Sequence, residues 1–219
     1  MRFLKDNGLS LVLAAAFLAT LVGLALTGWA ANNEQLAQHG ASALALGDYL
    51  TSGQFASAVF ENWESEFLQM GFYVVLTAFL FQRGSSESKD PEAHEEVDED
   101  PARHEEDPEA PWPVRAGSWL RALYSYSLGI ALFTLFAASF VLHWLASTAA
   151  ANEEATLHGW ATRTALEYLA DAQLWFESFQ NWQSEFLSTA VLVVLTIFLR
   201  FRFSPESKPV ASPHTQTGQ

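Results

Sequence analysis

The sequence predicts an all-α membrane protein in which four transmembrane helices form two helical hairpins with the same orientation. Half of the 219 residues are hydrophobic and only 16% are charged, which is typical of a membrane protein with soluble segments. The two halves of the chain resemble each other, and each half holds two apolar stretches. We therefore predict two-span repeats at residues 1–83 and 114–203, a linker at 84–113 and a tail at 204–219.

The resemblance between the halves is extensive enough to indicate a duplication. A shift of 119 positions, from Asn62 to Asn181, aligns them without a gap, and about 27 of the 60 residues from 30 to 89 then have an identical partner. The most distinctive match is a box of polar and aromatic residues that opens the second apolar stretch of each half. The box residues are Asn62, Trp63, Ser65 and Glu66 in the first half and Asn181, Trp182, Ser184 and Glu185 in the second.

The predicted spans are residues 8–31, 62–82, 120–149 and 181–203, each long enough for a hydrocarbon core of about 30 Å. The first could be mistaken for a signal peptide, but its uncharged stretch exceeds the usual 7–15 apolar residues of such a leader. The second and fourth spans reach full length only if they begin at the boxes. Asn62 and Asn181 are therefore predicted N-caps, and Trp63 and Trp182 suit the aromatic belt of a membrane interface.

An amphipathic pattern ahead of each box predicts a helix that lies on the membrane surface. In the second half Leu169, Ala172 and Phe179 belong to an apolar series with three- and four-residue spacing. The basic residues lie outside the two loops between spans, with the exception of Arg163, so both termini and the linker are predicted to be cytoplasmic. Two spans per repeat give both halves one orientation, which is a parallel repeat.

The linker carries most of the formal charge of -14, because residues 84–111 hold twelve carboxylates against Lys89 and Arg103. Such a segment buries too little apolar surface to order itself, so the linker and the tail are predicted to be disordered. The chain has no cysteine, which excludes disulfides and thiolate metal sites. The sequence also lacks phosphate-binding, dinucleotide-binding and hydrolase motifs and has no basic patch for nucleic acid.

Two alternatives remain for the polar residues of the boxes. They can form hydrogen bonds between helices, or they can line a hydrated path for a substrate or ion, with Glu66 and Glu185 as the ionisable groups. A metal site is a third hypothesis, because His39 and His158 are also repeat partners and could join Glu66 and Glu185 as ligands. The competing interpretation of these histidines is that they are solvated loop residues or helix caps.

The first box, the following Tyr73 to Thr77 and the closing Glu87-Ser88-Lys89 resemble a family of small bacterial integral membrane proteins. That family is known only as a conserved domain of unknown function. The resemblance implies a bacterial cytoplasmic membrane location, and it implies no activity, substrate, cofactor or catalytic residue.

The sequence therefore favours a non-enzymatic, structural or accessory membrane protein that needs no cofactor. Its surroundings would be the lipid bilayer. A small-residue ridge at Ala15, Ala19, Gly23 and Thr27 favours close contact with another helix, in this chain, a second copy or a membrane-protein partner. The alternative is a small transporter or channel that uses the polar stripes of the second and fourth spans. These stripes share polar side chains at helical spacing: Asn62, Ser65, Glu66, Gln69, Tyr73 and Thr77 in the second span, and Asn181, Ser184, Glu185, Ser188, Thr189 and Thr196 in the fourth. A metal-dependent membrane enzyme has less support.

Overall fold

The computed structural model describes residues 2–218, and every regular element in that part of the chain is a helix. The all-α class predicted from the sequence is thereby confirmed. Two short 3-10 helices, Glu96–Asp98 and Pro101–His104, lie in the linker. The α-helices are α1 (Arg2–Asp6), α2 (Gly8–Gln38), α3 (Leu46–Leu50), α4 (Gly53–Phe79), α5 (Trp112–Arg115), α6 (Ser118–Ser125), α7 (Ser127–His158), α8 (Ala165–Leu169) and α9 (Ala172–Phe198).

Among the described helices, α2 and α7 are long and apolar enough to cross a membrane. They have 31 and 32 residues, so each is about 46–48 Å long, more than the roughly 30 Å of a hydrocarbon core. The 27-residue helices α4 and α9 contain most of the second and fourth predicted spans. Their crossing of a membrane, and hence the four-span arrangement, stays a prediction.

Asn62 and Asn181 do not begin helices, so the prediction that they are N-caps is wrong. Helix α4 begins at Gly53 and α9 at Ala172, nine residues before the box asparagine in each case. Neither glycine nor proline follows these starts before the boxes, so nothing in the local sequence interrupts the helix. The predicted surface helix ahead of each box is therefore not a separate element. It is divided between the short helix α3 or α8 and the first turns of α4 or α9.

The chain divides into two units, each of which contains parts of both sequence halves. Unit 1 comprises Met1–Phe60 and Val141–Leu174, and unit 2 comprises Glu61–Phe140 and Trp175–Gln219. The long helices α4, α7 and α9 each contribute a part to both units. The division of the sequence at residues 83 and 113 describes repeats rather than these units, and it stays a prediction.

In unit 1, α4 and α7 approach closely because small residues line their contact. A Cβ atom on Gly53 would lie 2.5 Å from the Ala150 nitrogen and 2.8 Å from the Ala146 oxygen, so glycine permits this approach of the two backbones. One turn further along α4, the hydroxyls of Ser57 and Ser147 lie 2.6 Å apart and form a hydrogen bond. Small and hydroxyl side chains thus hold the two helices together here.

Unit 2 has an aromatic contact cluster at its long helices. The ring of Phe72 meets the rings of Phe133 and Phe186 edge to face, at centroid distances of 5.6 and 5.8 Å. Edge-to-face pairs of this kind add about 0.5–1.5 kcal/mol beyond the burial of their area. Leu68 and Leu132 are buried in the same unit, so apolar packing dominates this part of the chain.

The closing Glu-Ser-Lys sequences form the same turn in both halves. The hydroxyl of Ser88 accepts a hydrogen bond from the Gln82 amide at 2.8 Å, and the hydroxyl of Ser207 accepts one from the Phe201 amide at 2.9 Å. Each serine also donates to the carbonyl of the lysine that follows it. These bonds satisfy backbone groups just beyond α4 and α9, as side chains at helix ends commonly do.

The linker and the tail contain specific hydrogen bonds in unit 2. The ammonium group of Lys208, which is 1% exposed, donates to the carbonyls of Gly84, His214 and Gln216. The Gly218 amide donates to the Ser85 carbonyl at 3.0 Å. Burial lowers the pKa of Lys208 because it disfavours the charged form. The disorder of the linker and tail in solution stays a prediction.

Candidate functional sites

The first candidate site is a pair of histidines in unit 1, His39 and His158, which we call the histidine pair. Their ring centroids lie 4.8 Å apart and their planes are nearly perpendicular, at 77°. His39 is the C-cap of α2 and His158 is the last residue of α7. Both residues are exposed to solvent. The structure thus brings together two residues that the sequence alignment paired.

Each histidine is held in place by the way its helix ends. Gly40 and Gly159 follow the histidines with φ of 69° and 68°, in the left-handed region that favours glycine. The amides of Ala41 and Trp160 then donate to the carbonyls of Leu36 and Ala155, five residues earlier, at 2.9 and 2.8 Å. This is the hydrogen bond of a Schellman helix terminus. Both helices therefore stop in the same conformation directly after the histidine.

The two imidazoles also make the same hydrogen bond. Nδ1 of His39 lies 2.8 Å from the Gln35 carbonyl oxygen, and Nδ1 of His158 lies 2.9 Å from the Glu154 carbonyl oxygen. A carbonyl oxygen only accepts, so Nδ1 donates in each ring. In the neutral imidazole the proton is then on Nδ1, and the lone pair is on Nε2.

The asparagines one to two turns before the histidines fasten the loops that follow. Asn33 accepts from the Leu44 amide at 2.8 Å and donates to the Leu44 carbonyl at 3.1 Å. Asn152 makes the same two bonds to Arg163, at 2.8 and 2.9 Å. These asparagines are also identical repeat partners at the shift of 119 positions. The identical eleven-residue offset to the bonded residue becomes visible only in the structure.

The second candidate site lies in unit 2 at the boxes. Trp182 Nε1 donates to Glu64 Oε1 at 3.0 Å, and Asn181 Nδ2 donates to Glu61 Oε1. We call Glu61, Glu64, Asn181 and Trp182 the box cluster. Glu64 has no exposed surface, and a buried carboxylate costs free energy unless hydrogen-bond donors face it. The indole of Trp182 is such a donor, so this contact ties the second box to α4.

Within each box, the serine makes a local bond. The hydroxyls of Ser65 and Ser184 donate to the carbonyls of Asn62 and Asn181 respectively, three residues earlier, both at 2.8 Å. Ser65 is buried, whereas Ser184 is exposed. These bonds satisfy the serine hydroxyls inside their own helix, so the serines supply no free polar group.

The box glutamates of the sequence prediction lie at the surface instead of in the box cluster. Glu66 is exposed and Glu185 is partly exposed, and the two carboxylates are close enough to interact electrostatically. Trp63 is partly buried and Asn62 is exposed. Of the eight predicted box residues, Asn181 and Trp182 join the box cluster.

Sequence reasoning missed Glu61 and Glu64. It favoured residues present in both boxes, and these two positions are glutamine in the second copy, at Gln180 and Gln183. The change from acid to amide was itself the available signal. It shows that the two copies do not have the same polar environment at these positions.

A cleft of about 250 Å³ continues along the same faces of α4 and α9. Gln69 donates to the Thr189 hydroxyl at 2.6 Å at one place in its wall, and Tyr73 donates to Glu87 at 2.7 Å at another. The other described lining residues are mainly apolar, and Glu66 and Glu185 are not among them. Two members of the polar stripe predicted for α4, Gln69 and Tyr73, therefore donate hydrogen bonds to other side chains of this unit.

The four ligands of the predicted metal site fall in two units. His39 and His158 form the histidine pair of unit 1, and Glu66 and Glu185 interact in unit 2. The structure thus places the two histidines in ring contact and the two glutamates within the range of electrostatic interaction. A site that uses all four of them stays a prediction.

The family model of a domain of unknown function, DUF6766, matches residues 1–219. The chain belongs to this family. The resemblance to a family without an assigned function, drawn from the box and the closing motif, is thereby confirmed, whereas a bacterial origin and a membrane location stay expectations. No curated protein and no solved structure matches the chain. The family description assigns no activity, so a function has to be argued from the geometry.

Proposed function

We propose that this member of the family is a four-span integral membrane protein with a structural or accessory role. The spans would be α2, α4, α7 and α9. The membrane part of the proposal is supported by α2, which has no buried side chain along its 31 residues and exposes Leu9, Val12 and Leu13 by 60% or more. An apolar helix of this length without buried side chains suits lipid far better than water.

The observation that carries the structural role is the hydrogen bonding of the box cluster. Its tryptophan and asparagine donate to carboxylates of α4 within the protein. Gln69 of α4 likewise donates to another side chain of the protein, the hydroxyl of Thr189. Polar side chains that bond to one another fix helices in register, with about 0.6–1.7 kcal/mol for each bond in a membrane. Side chains of a transport path would instead present their polar groups to water or to an ion.

A small transporter is the second candidate, and Glu66 with Glu185 favours it. Two carboxylates that interact at the surface of unit 2 attract cations and protons, because their mutual repulsion is relieved when one positive charge binds. The transporter hypothesis therefore has one testable requirement. Flux of protons or cations must depend on these two carboxylates.

Membrane topology can be tested cleanly because the chain has no cysteine of its own. Single cysteines replace Ser42, Ala161 and Ala102, which represent the two loops and the linker, and a membrane-impermeant maleimide is added to sealed vesicles. With four spans, Ser42→Cys and Ala161→Cys react from one side and Ala102→Cys from the other. Labelling of all three from the same side would refute the four-span arrangement.

The role is tested by flux into proteoliposomes that contain the full chain. A structural protein gives proton and potassium leak equal to that of empty vesicles, and the Glu66→Gln/Glu185→Gln double variant does not change it. The matched control is Glu34→Gln/Glu154→Gln, which removes two exposed carboxylates elsewhere. A flux that the double variant abolishes and the control retains would replace the structural role with the transport candidate.

A further inference from the structure

We propose that His39 and His158 together bind one divalent transition-metal ion through their Nε2 atoms. This inference goes beyond the structural role and does not depend on it. It also needs fewer ligands than the four-residue site considered from the sequence. The tautomer of the rings, their separation, their charge environment and the contacts that restrain them all favour such a site.

The tautomer leaves the correct atom free for a metal. Because Nδ1 of each ring donates to a backbone carbonyl, the neutral ring presents an Nε2 lone pair. Histidines that bind metals almost always donate their other ring N–H to a carbonyl or carboxylate, which fixes the ring and raises its basicity. Both members of the histidine pair already have this second bond. Both are also exposed, so an ion can reach them from water.

The ring separation fits a shared ion. With a metal–nitrogen distance of about 2.0–2.1 Å, the ring centroid lies roughly 3.2 Å from the metal. Two such rings at coordination angles of about 90–110° have centroids roughly 4.5–5.2 Å apart. The observed centroid distance is 4.8 Å. The separation of the two rings is therefore compatible with one ion bound by both of them.

The surrounding charges also favour a cation. Both histidines lie at helix C-termini, where the carbonyl groups and the helix dipole stabilise positive charge. Glu34, Glu153 and Glu154 lie in the last two turns of the same helices. Arg163, five residues after His158 in the sequence, is bonded to Asp171, so its charge is largely balanced.

Local contacts restrain both histidines before any ion binds. The left-handed glycines after the histidines end both helices in one conformation, and the ring of Trp160 stacks on His158 at 4.4 Å. Rigid ligands lose little conformational entropy on binding. Imidazole suits copper, zinc and nickel, and Cu²⁺ binds most tightly among divalent first-row ions. Water would complete the coordination, since the protein supplies two ligands.

The test is a titration of the full chain with Cu²⁺ in detergent, followed by electron paramagnetic resonance. We expect one Cu²⁺ per chain with hyperfine structure from two nitrogen ligands. His39→Gln or His158→Gln should each remove one nitrogen and weaken binding at least tenfold. The matched control is His94→Gln/His104→Gln, which changes two histidines of the acidic linker and should leave the two-nitrogen signal intact.

A measurement on the unaltered chain can refute the proposal by itself, so refutation does not depend on the folding of variants. A parent signal with fewer than two nitrogens would overturn the proposal. A two-nitrogen signal that survives His39→Gln, or one that disappears in the linker control, would overturn it as well, because the ion would then lie elsewhere.

Discussion

Removal of the Glu64 side chain should destabilise the protein far more than removal of its repeat partner. Glu64 has no exposed surface and accepts a hydrogen bond from Trp182, whereas Gln183 is exposed and donates its amide to the Gln180 carbonyl in its own helix. The two positions occupy the same place in the repeated box. Glu64→Ala and Gln183→Ala therefore form a matched pair that separates the box cluster from the sequence motif.

The expected cost of Glu64→Ala has two parts. The lost bond to the Trp182 indole accounts for about 0.6–1.7 kcal/mol in a membrane environment. The side chain leaves a space of roughly 50 Å³ behind it, which at about 24 cal/mol per Å³ adds about 1.2 kcal/mol. The sum is about 2–3 kcal/mol. At about 2–4 °C per kcal/mol, Tm should fall by roughly 4–12 °C.

The assay is thermal unfolding of each variant in one detergent, followed by circular dichroism at 222 nm. Glu64→Gln should stay within about 1 kcal/mol of the parent, because it keeps the shape and an oxygen that can accept the indole bond. Gln183→Ala should stay within about 0.5 kcal/mol, as is usual for exposed positions. If Glu64→Ala and Gln183→Ala lowered Tm equally, the box cluster would have no special part in stability.

Three further predictions concern unit 1. Gly53→Ala should destabilise the protein by about 1–3 kcal/mol, because the new Cβ would meet the α7 backbone. The control Gly47→Ala has open space around the new Cβ and should stabilise the protein by up to about 1 kcal/mol. Equal changes in Tm for the two variants would disprove the close contact. Asn33→Ala should speed hydrogen exchange at the amide eleven residues later at least tenfold, and unchanged exchange would contradict the clamp. Thr164 and Glu167 form a capping box at the start of α8, in which hydrogen bonds from Thr164 lower the pKa of Glu167. These hydrogen bonds should therefore persist at pH values above the ordinary glutamate range and break as pH falls through the lowered pKa. Thr164→Val should move the midpoint, read from the Glu167 amide shift, upward, and an unmoved midpoint would refute the assignment.

The sequence predicted the helical class and the long apolar helices, because hydrophobic composition and helical periodicity can be recognised without knowledge of tertiary contacts. It failed at the start of α4 and α9. The box asparagines have an N-cap residue type, but no helix-breaking residue precedes them, so the helix continues from Gly53 or Ala172 through the box. Residue preference at a cap is about 1 kcal/mol, less than the hydrogen bonds of two further helical turns provide.

The histidine pair could be predicted from the sequence, whereas the box cluster could not. The alignment paired His39 with His158, and the structure places them in contact, since both end equivalent helices. The alignment could not identify Glu64, because its repeat partner is an amide, Gln183. In addition, the bond that Glu64 accepts comes from Trp182, which is distant in the sequence. Contacts made within a few residues leave a pattern in the chain, whereas contacts between distant helices leave none in a single sequence.

The two copies of the repeat therefore differ in an informative way. Where they kept the same residue, as at His39 and His158 or at Ser88 and Ser207, each copy makes the same short-range bond to its own backbone. Where an acid in one copy became an amide in the other, the acid at position 64 bonds across to α9. At the next acidic position of the box both copies keep the acid, and the equivalent carboxylates of Glu66 and Glu185 interact at the surface of unit 2. The box is thus asymmetric where its acid is buried, at position 64, and symmetric where its acids lie at the surface. The two histidines belong to the symmetric positions, where two equivalent lone pairs can stabilise a single positive ion.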